Sequence, residues 1–170
     1  MGKATHQREI ERKYLVTGDG WRQQAVRSER FAQGYLNNAA NPENRCSIRV
    51  RIEGEKARLN IKSMEIGLSR DEYEYDIPLA DAEKMLATLV IGPVVEKVRH
   101  WVPFEGFMWE VDEFLGDNAG LVVAEVELPD EMTQPPLPDW VGREVTDELR
   151  FYNVSLAQRP YREWDEHEKV

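Results

Sequence analysis

The segment Glu9–Val16, EIERKYLV, alternates in a way that decides how the rest of the chain is read. Side chains of a β-strand point to opposite faces in turn. Extended, this segment puts Glu9, Glu11 and Lys13 on one face and Ile10, Tyr14 and Val16 on the other. One face is ionic and the other mostly apolar. SIRVRIE repeats the pattern and is the clearest strand in the chain, with Arg49, Arg51 and Glu53 opposite Ile48, Val50 and Ile52. RLNIKSM opposes Leu59 and Ile61 to Asn60, Lys62 and Met64, and SRDEYEYDI opposes Tyr73, Tyr75 and Ile77 to Arg70, Glu72, Glu74 and Asp76. VEKVRHWV separates Lys97 and Arg99 from Val98 and Val102, and MWEVDEF separates Glu110 and Asp112 from Trp109 and Val111. VVAEVEL separates Glu125 and Glu127 from Ala124 and Val126. With AQGYL (Ala32–Leu36) the pattern predicts about eight strands.

The connections suit antiparallel neighbours, because EGEKA and LGDNAG are short, polar and contain glycine. Two helices are predicted. DAEKMLATLV spaces Ala82, Met85, Leu86 and Leu89 helically after the capping candidate Asp81, and Gly92 and Pro93 stop it. TDELRFYNVSLAQRP starts at Thr146, repeats Leu149, Tyr152 and Leu156, and ends by Pro160. The proline-bearing stretch 128–140 reads as a loop, and 160–170 as a poorly ordered charged tail. A chain of 170 residues, 41% hydrophobic, suits one domain. Its net charge of -10 argues against coating nucleic acid or an anionic membrane, and its single cysteine, Cys46, excludes an internal disulfide framework. No apolar run approaches the roughly 20 residues that span a bilayer, and the first residues lack a signal's apolar core. A cytoplasmic protein is expected.

An ordinary sheet with one solvated face also alternates charge with apolar residues. Such a face tends to mix signs, whereas here RVR and KVR pair cations, and EVD and EVE pair anions. If the strands close into a barrel, an inward apolar face makes an ordinary core. An outward one makes a charged bore with helices covering part of the exterior, and both arrangements stay open at this level. A charged bore needs a neutralising ligand. Arg and Lys clusters suit phosphate oxygens, and Glu and Asp clusters suit hard cations such as Mg²⁺ or Mn²⁺. Together these demands describe a metal-bound polyphosphate. His6, His100 and His167 show no spacing for a metal site or triad, and the five tryptophans could stack a base, though packing is their commoner use.

The ordered set Glu9-x-Glu11-x-Lys13, Arg49-x-Arg51, Lys62, Arg70-x-Glu72-x-Glu74, Lys97-x-Arg99, Glu110-x-Asp112 and Glu125-x-Glu127 resembles the CYTH superfamily, the triphosphate tunnel metalloenzymes. EVTDELRFYNVSLA resembles the C-terminal segment of its short bacterial inorganic triphosphatases, so the likeness runs from about Glu9 to Ala157. It implies a β-dominated α+β fold: one domain over 1–170 with its core at about 9–157, forming a closed eight-stranded antiparallel tunnel with a charged interior and helices outside. The implied activity is metal-dependent hydrolysis of tripolyphosphate to pyrophosphate and phosphate, with Mg²⁺ or Mn²⁺. Lys13, Arg49, Arg51, Lys62, Lys97 and Arg99 would hold phosphate, and Glu9, Glu11, Asp112, Glu125 and Glu127 would hold metal. Glu125 and Glu127 would serve the ion that prepares water, and Lys97 is either the base or a phosphate ligand. Arg70, Glu72, Glu74 and Glu110 would complete the tunnel's charge network, with direct metal ligation left open for Glu72 and Glu74. Thiamine or nucleoside triphosphates are alternative substrates. An adenylyl cyclase of the same fold competes, although His6 has no aromatic beside it as those proteins tend to have. A non-catalytic polyphosphate-binding module is disfavoured by the complete acidic set. The expected assembly is a monomer or homodimer, with a small-molecule partner and neither nucleic acid nor membrane.

Overall fold

The computed structural model describes residues 6–38, 41–64 and 68–170. Eight strands form the body: β1 (His6–Val16), β2 (Arg27–Tyr35), β3 (Cys46–Glu53), β4 (Lys56–Ser63), β5 (Ser69–Ile77), β6 (Val95–Phe104), β7 (Phe107–Phe114) and β8 (Val122–Glu127). They run antiparallel in the order β5-β4-β3-β2-β6-β7-β8-β1, and pairing of β5 with β1 closes the ring. A ninth strand, β9 (Val141–Glu144), which the alternation did not predict, pairs with the far half of β1. The β6–β7 turn holds positive φ at both Glu105 (44°) and Gly106 (83°), as a tight two-residue hairpin requires.

Register decides which face looks inward. Residues directly opposite in antiparallel strands share a face. Glu11 opposes Glu127, Lys13 opposes Glu125, and Glu125 opposes Glu110. Glu110 then opposes Trp101, which opposes Arg27; Gln33 opposes Arg51, Lys62 opposes Glu72, and Glu9 opposes Arg70. The ionic rows of neighbouring strands therefore join around one lumen. Of the two ways to turn the faces, the chain takes the inverted one.

The outward apolar face is covered in sections. Helix α1 (Leu79–Thr88) packs Ala82, Met85 and Leu86 against Val50, Ile52, Ala57 and Leu59 on β3 and β4. The helix and the residues just after it lie so close to β2 that a Cβ at Gly34 would stand 3.2 Å from Leu86 and 2.7 Å from Val90. Trp21 and Trp140 cover Tyr14, Trp109, Val111, Ala124 and Val126 on β1, β7 and β8. Burying side chains of this size contributes roughly 1.5–3 kcal/mol each, so the outside of this barrel carries core energetics.

The C-terminal region differs from expectation. The single helix predicted over 146–160 is broken into short turns, of which α2 (Asn153–Leu156) is the only α-helical one. Thr146 is buried, its Oγ1 accepting from the Lys13 amide at 3.0 Å, and Tyr152 is extended (ψ 143°) with its hydroxyl donating to the Thr146 carbonyl at 2.6 Å. Residues 160–170 also depart from the loose tail expected of them. Tyr161 and Trp164 join Phe151 and Leu156 in a cluster with Tyr35, Val95, Phe114 and Val123. Those last four sit on the lumen face of their strands, so the segment fills one end of the barrel instead of lying along its outside.

Candidate active site

Above this apolar plug the lumen holds a cavity of about 390 Å³. Acidic and basic side chains line it in equal number among the described residues, nine of each. They are segregated. Glu9, Glu11, Glu110, Glu125 and Glu127 form a wall on β1, β7 and β8, while Arg49, Arg51, Arg58 and Lys62 face them from β3 and β4. Tyr152, Asn153 and Val154 form the floor, where the Lys13 ammonium lies 4.2 Å from the Tyr152 ring centroid.

Some charges cancel within the lumen. Lys13 pairs with Glu125 at 3.0 Å, and Lys62 with Glu9 at 2.9 Å and Glu72 at 3.3 Å. Others remain unspent. Arg49 Nε and Arg70 Nε are buried without a hydrogen-bond partner, and Arg49 forms no ion pair with a described residue. Buried guanidinium groups in that condition are costly unless an anion completes them.

The acidic wall shows the complementary need. Burial raises the Glu11 carboxyl well above the ordinary range, and the neighbouring Glu125 and Glu9 carboxylates raise it further. Burial also raises Glu127 and Glu110, with Glu9 and Glu125 respectively adding to the rise. Glu125 goes the other way: burial would raise it, but Lys13, Arg99 and Lys97 together hold it well below. Buried carboxylates that repel one another, with oxygen donors from adjacent strands, fit a hard divalent cation.

Of the fifteen charged residues singled out by sequence, thirteen line this cavity, Arg70 among them with Glu11 at 3.8 Å. The other two stand behind the wall. Lys97 and Asp112 are 0% and 1% exposed and do not line the cavity. Asp112 Oδ1 accepts from Arg99 Nε at 2.8 Å, and its Oδ2 accepts from Arg99 Nη2 at 2.9 Å and Lys97 Nζ at 2.6 Å. The Lys97 ammonium also donates to Asn153 Oδ1 at 3.1 Å. Burial takes Lys97 down to about 7; the Asp112 carboxylate opposes this, and the Arg99 and Arg51 charges reinforce it.

Sequence reading missed the lumen face of β2. Arg27, Glu29, Phe31 and Tyr35 all line the cavity, and Gln33 Oε1 accepts from Arg51 Nε at 3.1 Å. A signal existed in the parity of RSERFAQGY, but its first four residues are polar on both faces. Of the tryptophans, four are buried in apolar clusters and Trp101 faces the cavity. His100 packs on Trp21 outside the barrel.

A closed barrel with an acid wall facing a basic one defines a class: a protein that receives a polyanion together with a cation inside its sheet. The chain belongs to the CYTH domain family, whose sequence model matches residues 7–161. It is 45% identical over 166 residues to an inorganic triphosphatase of Acetivibrio thermocellus, covering 98% of this chain and 100% of that one. It is 37% identical to an inorganic triphosphatase of Nitrosomonas europaea over 88% of this chain and 96% of the relative. The solved structure of an inorganic triphosphatase superposes with a TM-score of 0.61 at 33% identity, covering 88% of this chain and 93% of its own.

Proposed function

We propose that this protein hydrolyses inorganic triphosphate to pyrophosphate and phosphate in the barrel lumen, with Mg²⁺ or Mn²⁺ as cofactor. The observation that carries the reading is the pair of buried, incompletely partnered guanidinium groups, Arg49 and Arg70, sharing one lumen with a wall of buried carboxylates. The names of the two relatives favour the same activity over cyclisation.

Lys13, Arg49, Arg51, Lys62 and Arg99 hold phosphate oxygens, since all five reach the cavity. Arg99 arrives pre-aimed, because Asp112 grips its guanidinium through two hydrogen bonds. Glu9, Glu11, Glu125 and Glu127 would hold the cation, which when bound would supply charge neutralisation and a lowered pKa for water. Glu110 and Glu72 shape the field around them, and Arg70 and Glu74 complete it. Positioned cations spread the charge of the moving phosphoryl group without reorganising, which is where this type of catalysis gains most. Asp112 has both oxygens occupied, so we assign it to orienting Arg99 rather than to the metal.

Lys97 meets the same test. As base or phosphate ligand it would have to leave Asp112 and Asn153, so its assigned role is to hold Asp112. Kinetics of Lys97→Ala across pH decide this. A turnover loss with unchanged KM, together with disappearance of a pH limb near 7, returns the base role to it. The function itself is tested by incubating the protein with Mg²⁺ or Mn²⁺ and tripolyphosphate, thiamine triphosphate or ATP. Phosphate and pyrophosphate from tripolyphosphate, lost in Glu11→Gln and with chelator, are expected. Cyclic AMP from ATP would replace this reading with the cyclase, and tight binding without product would leave a binding module.

A further inference from the structure

At the end of the lumen away from the plug, the rim carries Arg27, Glu29, Lys56, Arg58 and one large aromatic, Trp101. Trp101 is the single tryptophan outside the apolar clusters. Its indole meets Phe31 edge-on at 6.0 Å, and both rings line the cavity. Left bare, such a face would stack any planar group hanging from the outer end of a bound triphosphate.

It is not bare. Arg27 lies directly opposite Trp101 in the β2–β6 register, and its Cζ stands 4.3 Å from the indole centroid. Glu29, two residues along the same face, pairs with the Arg27 guanidinium and holds it there. The cover is thus a cation fixed over the ring by a neighbouring carboxylate.

We propose that Arg27 is a specificity-determining residue: its guanidinium masks Trp101 and offers a positive charge at the rim, favouring a triphosphate whose outer end is a bare phosphate over one esterified to an organic group. This rests on the triphosphatase reading above and adds to it a preference among triphosphates. The outer phosphate of tripolyphosphate meets Arg27, Lys56 and Arg58 as an anion. An esterified phosphate carries less charge, and its organic group must displace Arg27 before it can stack.

The test compares kcat/KM for tripolyphosphate, ATP and ribose 5-triphosphate in the wild type, Arg27→Ala, Arg27→Lys and Arg27→Ala/Trp101→Ala. Arg27 is 59% exposed, so its removal leaves the folded core intact, and unchanged thermal midpoints verify that. Arg27→Ala is expected to raise the ATP-to-tripolyphosphate ratio by about fivefold to tenfold, the scale of one cation–π contact exchanged for one base stack. Ribose 5-triphosphate, lacking a base, gains less. Arg27→Lys keeps tripolyphosphate near wild type, and the double variant loses the ATP gain. An unchanged ratio in Arg27→Ala, or a gain that survives loss of Trp101, overturns the proposal. A wild type inactive on tripolyphosphate with either metal overturns instead the activity on which it rests.

Discussion

Asp112 is the residue on which two cations depend. Both are buried with it, and Lys97 pairs with no other acid among the described residues. Arg99 does reach Glu110 at 2.5 Å, but only Asp112 takes it through two nitrogens. Removing Asp112 leaves two buried cations without their shared carboxylate, whereas removing Lys97 leaves Asp112 still held by Arg99 through two hydrogen bonds. Asp112→Ala is therefore expected to lower unfolding stability by about 3–5 kcal/mol in urea titrations, and Lys97→Met by less than Asp112→Ala. Equal losses from the two would show that Lys97, not the carboxylate, organises the cluster. Glu9 makes a pH-dependent contribution of the opposite origin. Burial would raise its pKa, but Lys62, the Glu72 hydrogen bond and Arg70 take it from 4.5 down to about 2. A depressed carboxyl stabilises the fold fully above its unfolded pKa and loses that contribution as pH falls through the folded one. Wild-type stability should then fall between about pH 4.5 and 2, and the fall should be shallower in Glu9→Gln when urea midpoints are measured over that window. Glu72 is displaced upward by burial and by Glu9, so the comparison between variants carries the test, not the wild-type curve alone.

The strands that sequence reveals are those with one apolar and one charged row. β3, β4, β7 and β8 show this plainly because α1, Trp21 and Trp140 demand apolar partners on their outer face. β2 is legible only from Ala32 onward, since Arg27, Ser28, Glu29 and Arg30 present polar atoms to both the rim and the outside. Consequently the lumen residues Arg27, Glu29 and Phe31 were invisible to the same argument that exposed Arg49 and Glu125. β9 is four residues long and exists by pairing with β1 beyond its contact with β5, which is a property of the closed barrel and not of VGRE. The C-terminal segment misled in a different way. Leu149, Tyr152 and Leu156 have helical spacing, yet Tyr152 turns extended to cover the cavity floor, and the apolar residues serve several short turns instead of one face. That plug is structural, and its removal is costly. Trp164 is 4% exposed and contacts Phe151 and Tyr161 edge-on at 5.4 and 5.1 Å. Trp164→Ala is expected to cost about 3–5 kcal/mol by chemical denaturation. A loss below about 1 kcal/mol would mean that residues 160–170 are the dispensable tail their composition suggests.

At the scale of the molecule, the net charge of -10 misstates what a ligand meets. The cavity's acids and bases balance, so the excess acid lies elsewhere on the protein. A balanced, segregated lumen has a consequence for binding. A polyanion alone satisfies Arg49 and Arg70 but approaches Glu11 and Glu125; a cation alone relieves the acids but leaves the guanidinium groups unpartnered. Each ligand removes the obstacle to the other, which makes their binding reciprocal and positive in coupling. Thermal unfolding checks this with Mg²⁺ alone, a non-hydrolysable imido analogue of tripolyphosphate alone, and both. A ligand present at 100 times its dissociation constant stabilises by about 2.7 kcal/mol, which for a chain of this length raises the midpoint by about 5–10 °C. The two single-ligand shifts are expected to be small, and the joint shift to exceed their sum. Strictly additive shifts would mean that the acid and base walls act as separate sites, and the shared lumen would then not be one catalytic compartment.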